Sequence, residues 1–176
     1  MSKQKVIIIS GASGNLGKAI ACEFYKNNYP LHLLYYSKTE KLVGFNCPCY
    51  KGSLTDSAYV QNTIDSIGEI SHFININCAG ITEDKLMPRI SEEDFMKTIN
   101  VNLKGIFLLI REILKKNPAS GHIINLSSIS GVQGRTGQTA YSASKGALTA
   151  FTLSIAREYG SKNIQANVIL PGFIPS

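Results

Sequence analysis

The chain alternates short apolar runs with longer stretches whose apolar residues recur at helical spacing. "KVIIIS" (5–10), "LHLLYY" (31–36), "HFININ" (72–77), "HIINLS" (122–127) and "IQANVIL" (164–170) have strand length. These runs are near-continuously apolar, so both faces of the sheet they form are expected to be covered. A weaker strand is expected at about 45–50. Between the strands, 15–27, 57–67, 91–117 and 139–160 read as helices, the third as one long helix or two joined ones.

Strands alternating with helices imply right-handed βαβ units. The predicted fold class is therefore α/β, a doubly wound parallel sheet of Rossmann-like form, in a single domain over residues 1–176. Ligands of such sheets bind beyond the carboxyl ends of the strands. The segments just past each strand thus carry the candidate chemistry.

After the first strand, "SGASGNLG" spaces Gly11, Gly14 and Gly17 as GxxGxxG, with Ser13, Asn15 and Leu16 among them. Glycines permit a tight turn and let a pyrophosphate approach the backbone at a helix N-terminus. The usual dinucleotide fingerprint, GxGxxG, is not matched, and a ligand-free glycine turn would look the same. After the second strand, Ser37 and Lys38 stand where an acidic residue would hold ribose hydroxyls. A hydroxyl and an ammonium suit a 2′-phosphate, so NADP(H) is preferred, with NAD(H) left open and a plain polar turn as the bland reading. After 72–77, "NCAGI" brings Asn77, Ala79 and Gly80 into a small turn with room for a ribose or adenine, although Asn77 could simply cap its turn. After 122–127 comes "SSISGVQGRTGQTAYSASK". If 139–160 is helical, Tyr141 and Lys145 share a face as i and i+4. An ordinary phenol titrates near 10, too high for acid–base work at neutral pH, and a neighbouring ammonium favours the phenolate. Such a tyrosine can exchange a proton with an alcohol or ketone, and Ser128 would offer its hydroxyl to the same oxygen. On periodicity alone, such a pair is usually a solvated helix face.

Composition narrows the setting. The 176 residues are 44% hydrophobic, enough for a packed core. No apolar run approaches the roughly 20 residues of a membrane helix. The opening "MSKQKVIIISG" has only four apolar residues before a glycine, too few for a signal peptide, so a cytoplasmic location is expected. Of the four cysteines, Cys47 and Cys49 form a CxC, but no second ligand pair stands at metal spacing. No metal is expected, and reduced thiols are the better reading. The formal charge of +6 is dispersed, without a basic stripe interleaved with aromatics. Neither nucleic acid nor membrane is expected as a partner; an anionic cofactor or acidic protein stays open.

"SGASGNLG", "NCAG", "VNLKG", Ser128, "YSASK" and "LPGFI" occur in an order and spacing that resemble the short-chain dehydrogenase/reductase family across essentially the whole chain. Within it, "CAGITEDKLMPRISEEDF" and "GFI" are most similar to 3-oxoacyl-[acyl-carrier-protein] reductases. The resemblance implies hydride transfer from NADPH to a ketone, with Tyr141 as proton donor. It implies that Lys145 lowers the tyrosine pKa and bonds the nicotinamide ribose, that Ser128 orients the carbonyl, and that Asn102 holds a water in the relay to Lys145. It assigns Gly11, Gly17 and the backbone near Leu16 to the pyrophosphate. Asn77, Ala79 and Gly80 fall to the adenosine side, and Pro171, Gly172 and Ile174 to the nicotinamide amide. It further implies a small-molecule or carrier-bound ketone, an acidic carrier protein with Lys162 near its contact, and a homodimer or homotetramer built on helices 91–117 and 139–160.

Departures from the family pattern are visible. Asn15 replaces the middle glycine of TGxxxGxG, with Gly14 one place earlier; asparagine tolerates a positive φ better than most residues, so the turn is expected to survive. No arginine stands at position 14, and Ser53 stands where relatives usually carry an aspartate. Relatives continue beyond "LPGFIPS" with a helical lid, a last strand and a tail, so the chain reads as shortened, either a truncated form or one whose remainder is missing here, and 164–170 becomes an uncovered edge. Two rival readings stay open: a non-catalytic cofactor-binding or assembly subunit, and a reductase of another ketone such as a sugar, steroid or polyketide.

Overall fold

A computed structural model describes residues 5–174. Six parallel strands form one sheet: β1 Lys5–Ser10, β2 Leu31–Tyr35, β3 Cys49–Lys51, β4 His72–Asn77, β5 Ser120–Leu126 and β6 Ile164–Ile169. Their order is β3-β2-β1-β4-β5-β6, so the direction of winding reverses between β1 and β4. The weak strand expected at 45–50 is a three-residue edge at 49–51. The helices are α1 Asn15–Lys26, α2 Ser57–Ile67, α3 Glu92–Ile99, α4 Gly105–Lys115, the single turn α5 Ser130–Gln133, and α6 Thr139–Tyr159.

β1 shows why the sheet is central. Val6 and Ile8 point into a core shared with Ile64 of α2, Ile106, Leu109 and Ile113 of α4, and Leu148 of α6. Ile7 and Ile9, one residue out of phase, enter a second core with Leu31, Leu33 and Ala21 of α1. A strand's side chains alternate between faces, so a run of β-branched residues serves both cores at once. Two-sided coverage fails at β6, whose burial alternates and whose Ile169 is half exposed.

Helix starts differ in a way that bears on the site. The Asp56 carboxylate accepts from the backbone N–H groups of Ala58 and Tyr59 at the head of α2. Ser91 and Asp94 form a reciprocal capping box on α3. α1 begins at Gly14 with no side-chain cap and no acidic residue in its first turn.

The span expected as one helix or two is a single rod with a defect. α3 passes into a π-helical turn, Asn100–Lys104, and continues as α4. A π turn inserts an extra residue and re-aims the helix beyond it. Here it directs Asn102 inward, where it is fully buried.

Candidate active site

Beyond the carboxyl ends of β1 and β4 lies an open cleft of about 750 Å³, joined through Cys78, Gly80 and Ile81 to a smaller one of about 280 Å³. Its floor is the glycine turn after β1. Gly11 has φ +68, and a Cβ there would lie 2.6 Å from the Ala79 nitrogen. A Cβ on Gly17 would lie 2.3 Å from the Gly11 carbonyl oxygen. The turn after β1, the turn after β4 and the head of α1 therefore close on one another only because those positions lack side chains.

Of the residues expected to hold a cofactor, Gly11, Ser13, Ser37, Lys38, Ala79 and Gly80 line the larger cleft. Leu16, Gly80, Tyr141, Lys145, Pro171, Gly172 and Ile174 line the smaller one, with Ser128. Lys38 sits in left-handed backbone, φ 59, just past β2. Gly17 lies behind the turn and shapes it rather than facing the cleft.

Asn15 departs from expectation. It is the first residue of α1, the positive φ belongs to Gly11, and the Asn15 side-chain oxygen accepts from the Lys41 ammonium at 2.7 Å. The helical start leaves no left-handed position for Asn15 to fill. Asn77 lies beneath the cleft, fully buried. Its oxygen accepts from the Ser10 hydroxyl at 2.9 Å, and its nitrogen donates to Asn75 and Asn125 at 2.7 and 2.8 Å. Asn125 in turn donates to Thr152 of α6 at 2.8 Å. Ser10, Asn77 and Asn125 are register neighbours on three adjacent strands, so this ladder ties the strand ends together and to α6. Lys162 stands just before β6, at the amino edge of the sheet. It lies about 30 Å along α6 from Tyr141 at 1.5 Å per residue, outside the cleft wall, with its ammonium 5.0 Å above the Tyr159 ring.

The three side chains expected to be catalytic, Ser128, Tyr141 and Lys145, line the smaller cavity. Ser127 anchors α6 by donating to the Lys145 carbonyl at 2.8 Å, which places Ser128 opposite the first turns of that helix. Lys145 is 5% exposed, and its ammonium donates to the Leu126 carbonyl at 2.6 Å. Burial pushes this ammonium down from 10.5 to about 8, the Cys78 thiol pulling the other way. Burial likewise pushes the Cys78 thiol up to about 12, opposed by the Lys145 charge. The Lys145 ammonium stands 5.7 Å from the Tyr141 ring centroid. Among the described residues the Tyr141 hydroxyl has no hydrogen-bond partner. Asn102 uses both amide hydrogens, donating to the Ile81 carbonyl at 2.9 Å and Ser144 at 2.9 Å, and its oxygen accepts from Ile81 N–H at 2.8 Å. A water on Asn102 must therefore donate to one of its oxygens. Cys78, in the wall of both cavities, and Asn125 of the ladder are not singled out by sequence, and Asn77 is read there only as a turn residue beside the adenosine; their only further signal is the polar residues that end otherwise apolar strands. Among the described residues no three His, Cys, Asp or Glu side chains come together in a group that could hold a metal ion, and no helix is long and apolar enough to cross a membrane.

Residues 5–176 match the short chain dehydrogenase family. The chain belongs to the short-chain dehydrogenases. It is 38% identical to the 3-oxoacyl-[acyl-carrier-protein] reductase FabG of Rickettsia conorii over 98% of this chain and 73% of the relative. It is 32% identical to the acetoacetyl-CoA reductase of an Acinetobacter species, over 98% of this chain and 75% of that protein. It is 31% identical to a FabG of Staphylococcus aureus, over all of this chain and 77% of that relative. The chain thus spans about three-quarters of the length of these curated short-chain dehydrogenases. Membership makes the protein an oxidoreductase and implies a nicotinamide cofactor. The uncapped head of α1, the Cβ-free floor at Gly11 and a cleft long enough to reach from Lys38 to Gly80 fit such a dinucleotide.

Proposed function

We propose that the protein reduces a 3-oxoacyl thioester to the 3-hydroxy thioester with NADPH. The observation that carries this reading is the convergence of Ser128, Tyr141 and Lys145 on one small cavity that opens into the glycine-floored cleft. The bound cofactor supplies a hydride. Ser128 and Tyr141 bind the ketone oxygen, Ser128 by donating its hydroxyl hydrogen and Tyr141 by donating the proton that the developing alkoxide takes up. The Lys145 ammonium stabilises negative charge as it forms on the phenolic oxygen and offers its remaining hydrogens to the ribose. The α1 N-terminus receives the pyrophosphate, and Ser37 with Lys38 receives the 2′-phosphate. Relatives named as reductases of carrier-bound and CoA-bound 3-oxoacyl groups support the thioester substrate. An acidic carrier protein as donor of that substrate and a homo-oligomer belong to the same proposal, as does a cytoplasmic location.

The test follows NADPH absorbance with a 3-oxoacyl thioester. Tyr141→Phe is expected to lower kcat by about 10²- to 10⁴-fold while NADPH still binds; equal rates for the two proteins refute the assignment. A second reading is cofactor binding without turnover. Tight NADPH binding with no reduction of thioester, sugar, steroid or polyketide ketones favours it.

A further inference from the structure

Two loops flanking the smaller cavity are joined by one buried amide, and we propose that Gln138 is a positioning residue that sets the direction of the Ser128 hydroxyl. The inference rests on Ser128 being the hydroxyl that meets the substrate ketone. Gln138 is 9% exposed and lies three residues before Tyr141, at the N-cap position of α6, without using its side chain as a cap. Its amide nitrogen donates to the two Asp84 carboxylate oxygens at 3.1 and 3.2 Å. Its amide oxygen accepts from the Ser130 hydroxyl at 3.3 Å. The Ser130 backbone N–H donates to Ser128 Oγ at 3.1 Å.

Chemistry fixes the sense of each link. A carboxylate only accepts, so the amide must turn its nitrogen to Asp84 and its oxygen to Ser130. That oxygen holds the Ser130 hydroxyl as a donor and locks the short α5 turn on which Ser130 sits. With Ser128 Oγ occupied as an acceptor by the Ser130 N–H, its own hydrogen is left for the cavity shared with Tyr141 and Lys145. Asp84 is held in place from its own loop, because the Thr82 hydroxyl donates to it at 2.7 Å. The Lys85 N–H already joins the loops by donating to the Gly137 carbonyl at 2.8 Å. A further link made only for strength would need no buried amide; what this one adds is direction. Neither Asp84 nor Gln138 lines the smaller cavity, so both act through Ser128.

The experiment is a double-mutant cycle on NADPH-dependent reduction of a 3-oxoacyl thioester. Gln138→Leu is expected to lower kcat about tenfold or more while KM for NADPH stays within about twofold. In the Ser128→Ala background the same change is expected to cost less than about twofold, because the group it positions is gone. Asp84→Asn, which frees the amide to turn over, gives an intermediate loss. Three-bond couplings between the Ser128 α and β protons supply a readout independent of turnover: one rotamer in the wild type, averaging in Gln138→Leu and in Gln138→Met, the second variant should leucine fail to fold. Equal costs in both backgrounds, or one unchanged Ser128 rotamer in all proteins, overturn the proposal. A wild type that binds NADPH but reduces no ketone overturns the reductase reading instead, and the couplings then decide the role of Gln138.

Discussion

Replacing Lys145 with methionine is expected to make the cofactor-free protein more stable while abolishing ketone reduction. An ammonium carries three hydrogens, and the protein accepts one of them, at the Leu126 carbonyl. Burial lowers the Lys145 pKa from 10.5 to about 8, which at about 1.4 kcal/mol per tenfold change is a cost of about 3 kcal/mol near neutral pH. Methionine keeps most of the apolar stem but leaves the Leu126 carbonyl without its donor, a loss of about 1 to 2 kcal/mol. The balance is a gain of about 1 to 2 kcal/mol, or roughly 2 to 8 °C in Tm for a chain of this size.

The pH dependence is the sharper check. The folded pKa lies below the unfolded one, so between about 8 and 10.5 the unfolded chain holds more protons at this group, and the Lys145 contribution to stability rises with pH. From about pH 7 to about pH 9 this group contributes a rise of about 1 kcal/mol, which the methionine variant lacks. Above that window Cys47 and Cys78, both pushed up to about 12 by burial, stay protonated in the folded protein alone and act in the opposite sense. Urea unfolding followed by far-ultraviolet circular dichroism at the two pH values measures both effects. A methionine variant about 1 kcal/mol less stable than wild type near pH 7, or a gap between the proteins that does not change with pH, refutes the reasoning.

Gly17→Ala drives a methyl group against the Gly11 carbonyl; a loss of about 1 to 3 kcal/mol is expected in the urea midpoint, with NADPH binding, read by fluorescence, weakened further. Asn77→Leu strips hydrogen-bond partners from Ser10, Asn75 and Asn125 at once and is expected to cost about 3 kcal/mol or more in thermal unfolding. Lys38→Glu is expected to raise KM for NADPH about tenfold or more and to leave KM for NADH within about twofold, because it sets a carboxylate against the 2′-phosphate alone.

The strands are legible because their signal is local: a β-branched run such as Val6–Ile9 has to be buried on both sides wherever it lies. Tyr141 and Lys145 are legible as a pair because helical spacing alone puts them on one face. The π turn is not, because the apolar rhythm of 91–117 runs through it undisturbed. What shifts the backbone there is Asn102 meeting both backbone groups of Ile81, a residue 21 positions away. Asn77 reads as a turn residue for a similar reason. Its partners Ser10 and Asn125 lie 67 and 48 positions off and become neighbours only when three parallel strands come into register. Gln138 and Asp84, 54 positions apart, carry no signal until two loops meet. Asn15 misleads because the glycine it replaces suggests a backbone need that Gly11 already meets.

The polar groups near the carboxyl ends of the strands divide into two kinds, and the division itself argues for a ligand. In the Ser10–Asn77–Asn125–Thr152 ladder, as in the Asn102 side chain, the buried amide groups find protein partners, as a structural network must if it is not to cost stability. Along the cleft the opposite holds: Lys145 has hydrogens to spare, the Tyr141 hydroxyl has no partner among the described residues, and α1 starts without a side-chain cap. Evolution toward stability alone would fill or remove such deficits, and α2 and α3 show that this fold can cap a helix with its own side chains. The three deficits face one connected space and ask for complementary things: acceptors for an ammonium, an oxygen for a phenol, an anion for a helix N-terminus. A phosphorylated dinucleotide stacked beside a ketone supplies all three, and no single protein side chain could.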